Sequence, residues 1–171
     1  MMAPLQSTVA DADEVACDRI WTQQAKTYGW DTGATLASHL KVSIVRKYCS
    51  PERRLCDIGA GNGLFMRVLA PHCAHVTGVD LNAEMLAEGC AMIAQEGIAN
   101  ADFVQASASH LPLVDSDFDV VYCFSTLLLI PDIVSALREM VRVLRPGGYL
   151  ILDVAGRNNL SAIYWRLWYR R

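Results

Sequence analysis

Three glycines at alternate positions, Gly59, Gly61 and Gly63, follow directly on the run Leu55-Cys56-Asp57-Ile58. Without Cβ atoms, such a backbone can take positive φ and come close to a bound molecule. Leu64, Phe65, Val68 and Leu69 come next at helical spacing. A helix N-terminus with free N–H groups is therefore expected to face the same molecule. Strand, glycine turn and helix in that order make a cradle for a nucleotide-type ligand. Asp80 ends the next apolar run, where a carboxylate can accept hydrogen bonds from two ribose hydroxyls. Asp57 opens the turn and has two readings, one orienting loop amides and one meeting a cationic part of the ligand.

The elements that must hold these residues can be read in order. A small, polar, acidic stretch over 1–16 reads as a flexible lead-in, and 17–171 as a single domain. Residues 17–30 read as a helix or helix–turn with Trp21, Tyr28 and Trp30. A helix from Asp31 or Thr32 to about Tyr48 is expected to bury a stripe of Leu36, Leu40, Ile44, Val45 and Tyr48, and Ser50-Pro51 ends it. The first strand is predicted at 54–58 and its helix at 62–70. The second strand spans about 74–79. Asn82 caps a helix to about Glu96, with Met85, Leu86, Cys90 and Ile93 inward and Gly97 as its stop. A short third strand at 102–105 and a β-branched, aromatic fourth at 118–124 follow. Pro131 and Asp132 open a helix with the stripe Ile133, Leu137, Met140, Val141 and Leu144. Arg145-Pro146-Gly147-Gly148 breaks it before a fifth strand, 149–154. A last amphipathic segment covers about 158–170.

Strands alternating with helices imply a parallel sheet with helices on both faces. Ligands of such sheets bind beyond the carboxyl ends of the strands. Gly59, Gly61, Gly63, Asp80, Ser107, Ser125 and Gly156 follow strands and fall on that side. His72 and His75 precede the second strand and read as surface histidines. His110 is on the ligand side but reads as a loop histidine, so no catalytic residue is assigned.

Composition limits the partners. The chain has 171 residues, is 53% hydrophobic and carries a formal charge of −3. That is enough apolar material for a core, with no overall basic footprint for nucleic acid. Arg138, Arg142 and Arg145 share a helical face, which reads as solvated. The six cysteines form no CxxC pair, so reduced thiols without a metal site are expected. The N-terminus carries acids where a signal peptide carries Lys or Arg, and no apolar run reaches the roughly 18 residues of a membrane span. A cytoplasmic protein is expected.

A nicotinamide dinucleotide needs a third glycine in the form G-x-G-x-x-G, and Leu64 stands in its place. The better match is broader. LCDIGAGNG, VTGVDLNAEML, FDVVYCFSTLLLI and LREMVRVLRPGGYLILD resemble, in order and spacing, the motifs of class I S-adenosylmethionine-dependent methyltransferases. The resemblance covers roughly residues 40–155. It implies a Rossmann-like, doubly wound, mostly parallel sheet of strand order 3-2-1-4-5. It also implies S-adenosylmethionine as cofactor and a small-molecule acceptor, with a non-catalytic cofactor-binding module as the alternative. Asp57, Gly59, Ala60, Gly61 and Gly63 would surround the methionine part. Asp80 would hold the ribose and Leu81 the adenine, with Met85 near the same pocket. Ser107 stands where many relatives carry an acid near the adenine amino group. Phe124 and Ser125 would lie near the sulfonium, and Tyr28 resembles an aromatic that folds over the cofactor.

The family sheet usually continues for two more strands, which this sequence lacks. The chain is therefore expected to be C-terminally incomplete. Its fifth strand would then be covered by a second copy of the chain or by a missing segment.

Overall fold

The computed structural model describes Thr22 and residues 36–154. Five strands form one sheet: β1 (Arg54–Ile58), β2 (His75–Asp80), β3 (Ala101–Gln105), β4 (Phe118–Cys123) and β5 (Leu144–Leu152). Their order is β3-β2-β1-β4-β5 and every pairing is parallel. The helices are α1 (Leu36–Arg46), α2 (Leu64–Leu69), α3 (Ala83–Gln95) and α4 (Ile133–Val143), with 3-10 turns at Ala70–His72 and Leu127–Leu129. The predicted strands and order are met, and the Rossmann-like architecture with them.

Alternation along the central strands divides the core in two. Leu55, Val76, Val120, Tyr122 and Phe124 face one side, against Val42 and Val45 of α1 and Met66 and Leu69 of α2. Cys56, Val121 and Cys123 face the other, against Ala136, Met140 and Val143 of α4. Period-two side chains on a doubly covered sheet give this division directly.

α3 lies close to β3 because Gly89 has no side chain. A Cβ on Gly89 would come within 2.5 Å of the Phe103 ring, and one on Gly63 within 2.7 Å of the same ring. Asn82 caps α3 by accepting the Met85 amide at 2.7 Å, and Gly97 leaves it with φ +67, as the sequence indicates.

Three expectations are corrected. In α1 the buried residues are Ser38, Val42 and Val45, whereas Leu36, Leu40 and Ile44 are exposed. The helix is apolar on two sides: Val45 and Tyr48 of the expected stripe meet the core, but its Leu36, Leu40 and Ile44 side faces away from it. In α4 the inward residues are Ala136, Met140 and Val143, while Ile133 and Val141 are exposed. Ala136 adds little to a hydrophobic stripe, yet its small side chain lets the helix approach the sheet. In α3, Cys90 is exposed and Gly89 is buried in its stead.

The Arg145–Gly148 stretch also departs from expectation. It lies within β5 as an irregularity, with Phe118 opposite Leu144 and Val120 opposite Tyr149. Asp119 sits between them. Its carboxylate accepts Arg145 Nη1 at 3.0 Å and the Arg54 amide at 2.8 Å. Gly147 takes φ +79, which a residue with a side chain rarely adopts. Arg142, expected on a solvated face, is bound into the fold. It donates to Glu139 at 2.7 Å, to the Leu111 carbonyl at 2.9 Å, to the Leu113 carbonyl at 2.8 Å and to Asp115 at 2.5 Å.

Candidate cofactor site

The glycine turn is pinned at the carboxyl end of the sheet. The Gly59 and Ala60 amides donate to the Val79 carbonyl at 2.8 and 3.0 Å. Gly59, Gly61 and Gly63 all have positive φ, at 76, 55 and 75°. The three are not equivalent. A Cβ on Gly59 would overlap the Thr126 side chain, and one on Gly63 would meet Phe103. Those two glycines make room for the protein's own packing. A Cβ on Gly61 would meet only the terminal methyl of Met85, at 2.8 Å.

Asp80 closes the arrangement. Its Oδ2 accepts the Gly61 amide at 2.8 Å and its Oδ1 accepts the Asn82 amide at 2.9 Å. The structure thus brings Gly61, Asp80 and Met85 together. Leu81 follows on the rim, where its carbonyl accepts the Gln105 amide group at 3.1 Å. The Ala106 amide donates to the Asp80 carbonyl at 3.0 Å, which draws the loop after β3 towards the end of β2. Ser107 in that loop is buried, and its hydroxyl accepts the Ser109 amide at 3.3 Å. His110 is exposed.

Asp57 lies beneath the turn, 1% exposed, in register with Tyr122 of β4. Among the described residues its Oδ2 has no hydrogen-bond partner. Burial pushes its carboxyl up to about 8; Tyr122 lowers it and the nearby Asp80 charge raises it. Burial likewise raises the thiols of Cys56 and Cys123, so neither is a ready thiolate nucleophile.

Phe124 and Ser125 follow β4. The Phe124 ring is 6% exposed and packs edge-on against Phe65 at 5.5 Å. Ser125 is exposed and takes φ 59. Around it stand two residues that the sequence reading did not select. Lys41 donates to the Ser125 hydroxyl at 2.7 Å and pairs with Asp153 at 2.7 Å. Asp153 in turn accepts the Ser125 amide at 2.6 Å. The strand-end rule that finds Asp80 also places Asp153, just past β5, on the ligand side. Nothing in the sequence singles out Lys41. Tyr28, the remaining expected site residue, lies outside the described residues.

The methyltransferase domain family matches residues 56–152 of the chain. The chain belongs to this family. Among curated proteins, methyltransferase YcgJ of Bacillus subtilis, itself uncharacterized, is 34% identical over 67% of this chain and 46% of its own length. The ubiquinone/menaquinone biosynthesis C-methyltransferase UbiE of Vibrio parahaemolyticus is 38% identical over 60% of this chain and 41% of its own. The sequence match thus spans less than half the length of these two curated relatives. The YcgJ crystal structure superposes with a TM-score of 0.68 at 29% identity, covering 77% of this chain and 58% of that one. The [4+2]-cyclase SpnF superposes at 0.64 with 28% identity, covering 72% and 46%.

The cofactor of this methyltransferase class is S-adenosylmethionine, and the residues present fit it. Asp80 is an acceptor-only carboxylate with both oxygens oriented by backbone amides, the chemistry that two ribose hydroxyls require. At Gly61 a side chain would close the narrow space against Met85.

Proposed function

We propose that this methyltransferase domain binds S-adenosylmethionine and transfers its methyl group to a small-molecule acceptor. The observation that carries the reading is the meeting of Gly61, Asp80 and Met85 at the carboxyl end of the sheet. When bound, the cofactor supplies a methyl carbon already activated by its sulfonium. The chain's own residues hold and align it. Asp80 accepts the ribose hydroxyls, and Leu81 and Met85 border the adenine side. Ser107 accepts from the adenine amino group. Gly59, Ala60, Gly61 and Gly63 wall the methionine part, with Asp57 beneath them. Phe124 and Ser125 border the reacting end. Alignment of this kind accounts for much of the rate in a displacement from an activated donor.

A small-molecule acceptor is supported by the formal charge of −3, which gives no overall basic footprint for nucleic acid. It is also supported by relatives named for ubiquinone and menaquinone biosynthesis. Among the described residues no helix is long and apolar enough to cross a membrane. Calorimetric titration with S-adenosylmethionine, followed by methyl-transfer assays on quinol and phenol acceptors, tests the proposal. Tight binding of NAD with no binding of the sulfonium cofactor would refute it.

The likeness to SpnF, a protein named for a cyclisation, favours a second reading. In that reading the domain holds the cofactor without transferring its methyl group. Cofactor binding without turnover on any acceptor separates the two.

A further inference from the structure

We propose that Lys41 is a positioning residue of this site, acting through Ser125. The inference rests on the methyl-transfer reading above and assigns a role to a charge outside the glycine turn. Lys41 comes from α1, far in sequence from the loop that it contacts. Its ammonium donates to Ser125 Oγ at 2.7 Å, pairs with Asp153 Oδ2 at 2.7 Å and stands 5.4 Å from the centre of the Phe124 ring. Asp153 Oδ1 accepts the Ser125 amide at 2.6 Å. Ser125 is therefore held from both its side chain and its backbone.

That hold has a purpose in the backbone. Ser125 has φ 59, a left-handed conformation that is unfavourable for a residue with a Cβ. The Lys41–Asp153 pair offsets this cost, and both groups are sheltered enough to matter, with side chains 20% and 35% exposed. The next residue is Thr126, whose side chain fills the space left by the missing Cβ of Gly59 and whose hydroxyl donates to the Phe124 carbonyl at 3.0 Å. The turn at Ser125 thus sets where Thr126 meets the glycine loop and where the Phe124 ring lies. Lys41 is the link that ties α1 and the end of β5 to that turn.

The test is a mutant cycle read by calorimetric binding of S-adenosylhomocysteine, with the melting temperature recorded alongside. Lys41→Met keeps the apolar stem and removes the charge, and it should weaken binding about tenfold, the equivalent of about 1.4 kcal/mol. Lys41→Arg should recover most of the loss, because a guanidinium can reach both Asp153 and Ser125. In a Ser125→Gly background, where positive φ is unstrained, Lys41→Met should weaken binding less than about threefold. Should Lys41→Met fail to fold, Asp153→Asn breaks the same pair and is read in the same two backgrounds. An equal loss in both backgrounds, or a lowered melting temperature with unchanged affinity, would overturn the inference while leaving the functional reading intact. A wild-type chain that does not bind S-adenosylhomocysteine would overturn the functional reading, and this inference with it.

Discussion

The Asp80 carboxylate accepts the backbone amide of Gly61 at 2.8 Å. The acid at the end of β2 therefore holds the glycine turn in shape, besides the ribose role proposed for it. Asp80→Ala should accordingly show two losses. Cofactor affinity should drop by about 1.5–3 kcal/mol, the scale of hydrogen bonds to a charged group. Folding stability should also drop, by about 1–2 kcal/mol, because the Gly61 and Asn82 amides lose their acceptor. Asp80→Asn keeps one acceptor oxygen and should recover part of the stability. Titration calorimetry and urea unfolding on the same three proteins check both effects.

Gly59 and Gly61 of the turn should respond differently to alanine. Gly59→Ala drives a Cβ into Thr126, and overpacking together with positive φ should cost about 2–4 kcal/mol of stability. Gly61→Ala meets only the mobile end of Met85, so its folding cost should stay near the roughly 1 kcal/mol of the φ penalty. Its effect on cofactor binding should be the larger of the two. Equal unfolding midpoints for the two variants would contradict this ordering.

Asp57 gives the folded chain an unusual pH response. Its carboxyl is raised from 3.8 to about 8 in the fold, so the native state holds a proton that the unfolded chain has released. The stability associated with this proton is complete at acid pH. It declines as pH rises across the interval between those two values, the reverse of a salt-bridged aspartate. Asp57→Asn, which is neutral throughout, should flatten that slope. Urea unfolding in steps from about pH 5 to pH 8 measures it.

Arg142 should be a stability residue whose charge alone does not suffice. Its guanidinium spans Glu139, Asp115 and the carbonyls of Leu111 and Leu113. Arg142→Lys keeps the charge but loses the fork, and should cost about 1–3 kcal/mol. Faster amide exchange over residues 111–115 would locate the loss in the loop that Arg142 holds.

Much of this arrangement was legible in the sequence, and the exceptions share a cause. The glycine turn and the Asn82 cap are local chemistry, with partners a few positions away, so spacing reveals them; Asp80 is found by its place at a strand end, but its hold on the Gly61 amide, 19 residues back, is not local. The rotation of α1 and α4 depends on what lies across the interface. Leu36, Leu40 and Ile44 form as regular a stripe as the Val42 and Val45 side does, and only packing against Leu55, Met66 and Leu69 decides between them. The Lys41–Asp153 pair joins residues from opposite ends of the described region. No periodicity connects them. Spacing also gave all three turn glycines one reason, whereas two of them are required by Thr126 and Phe103.

Phe103 has a consequence beyond packing. One ring fills the space left by both Gly63 and Gly89, so the turn, α3 and the edge strand β3 cannot drift independently in sequence. A methyl group gained at position 89 requires a smaller residue at 103, and a smaller residue at 103 relaxes the demand for glycine at 63. Such positions change as a set. Gly89→Ala should be poorly tolerated alone and better tolerated with Phe103→Leu, and homologues that have lost this phenylalanine should be the ones that carry a side chain at position 89.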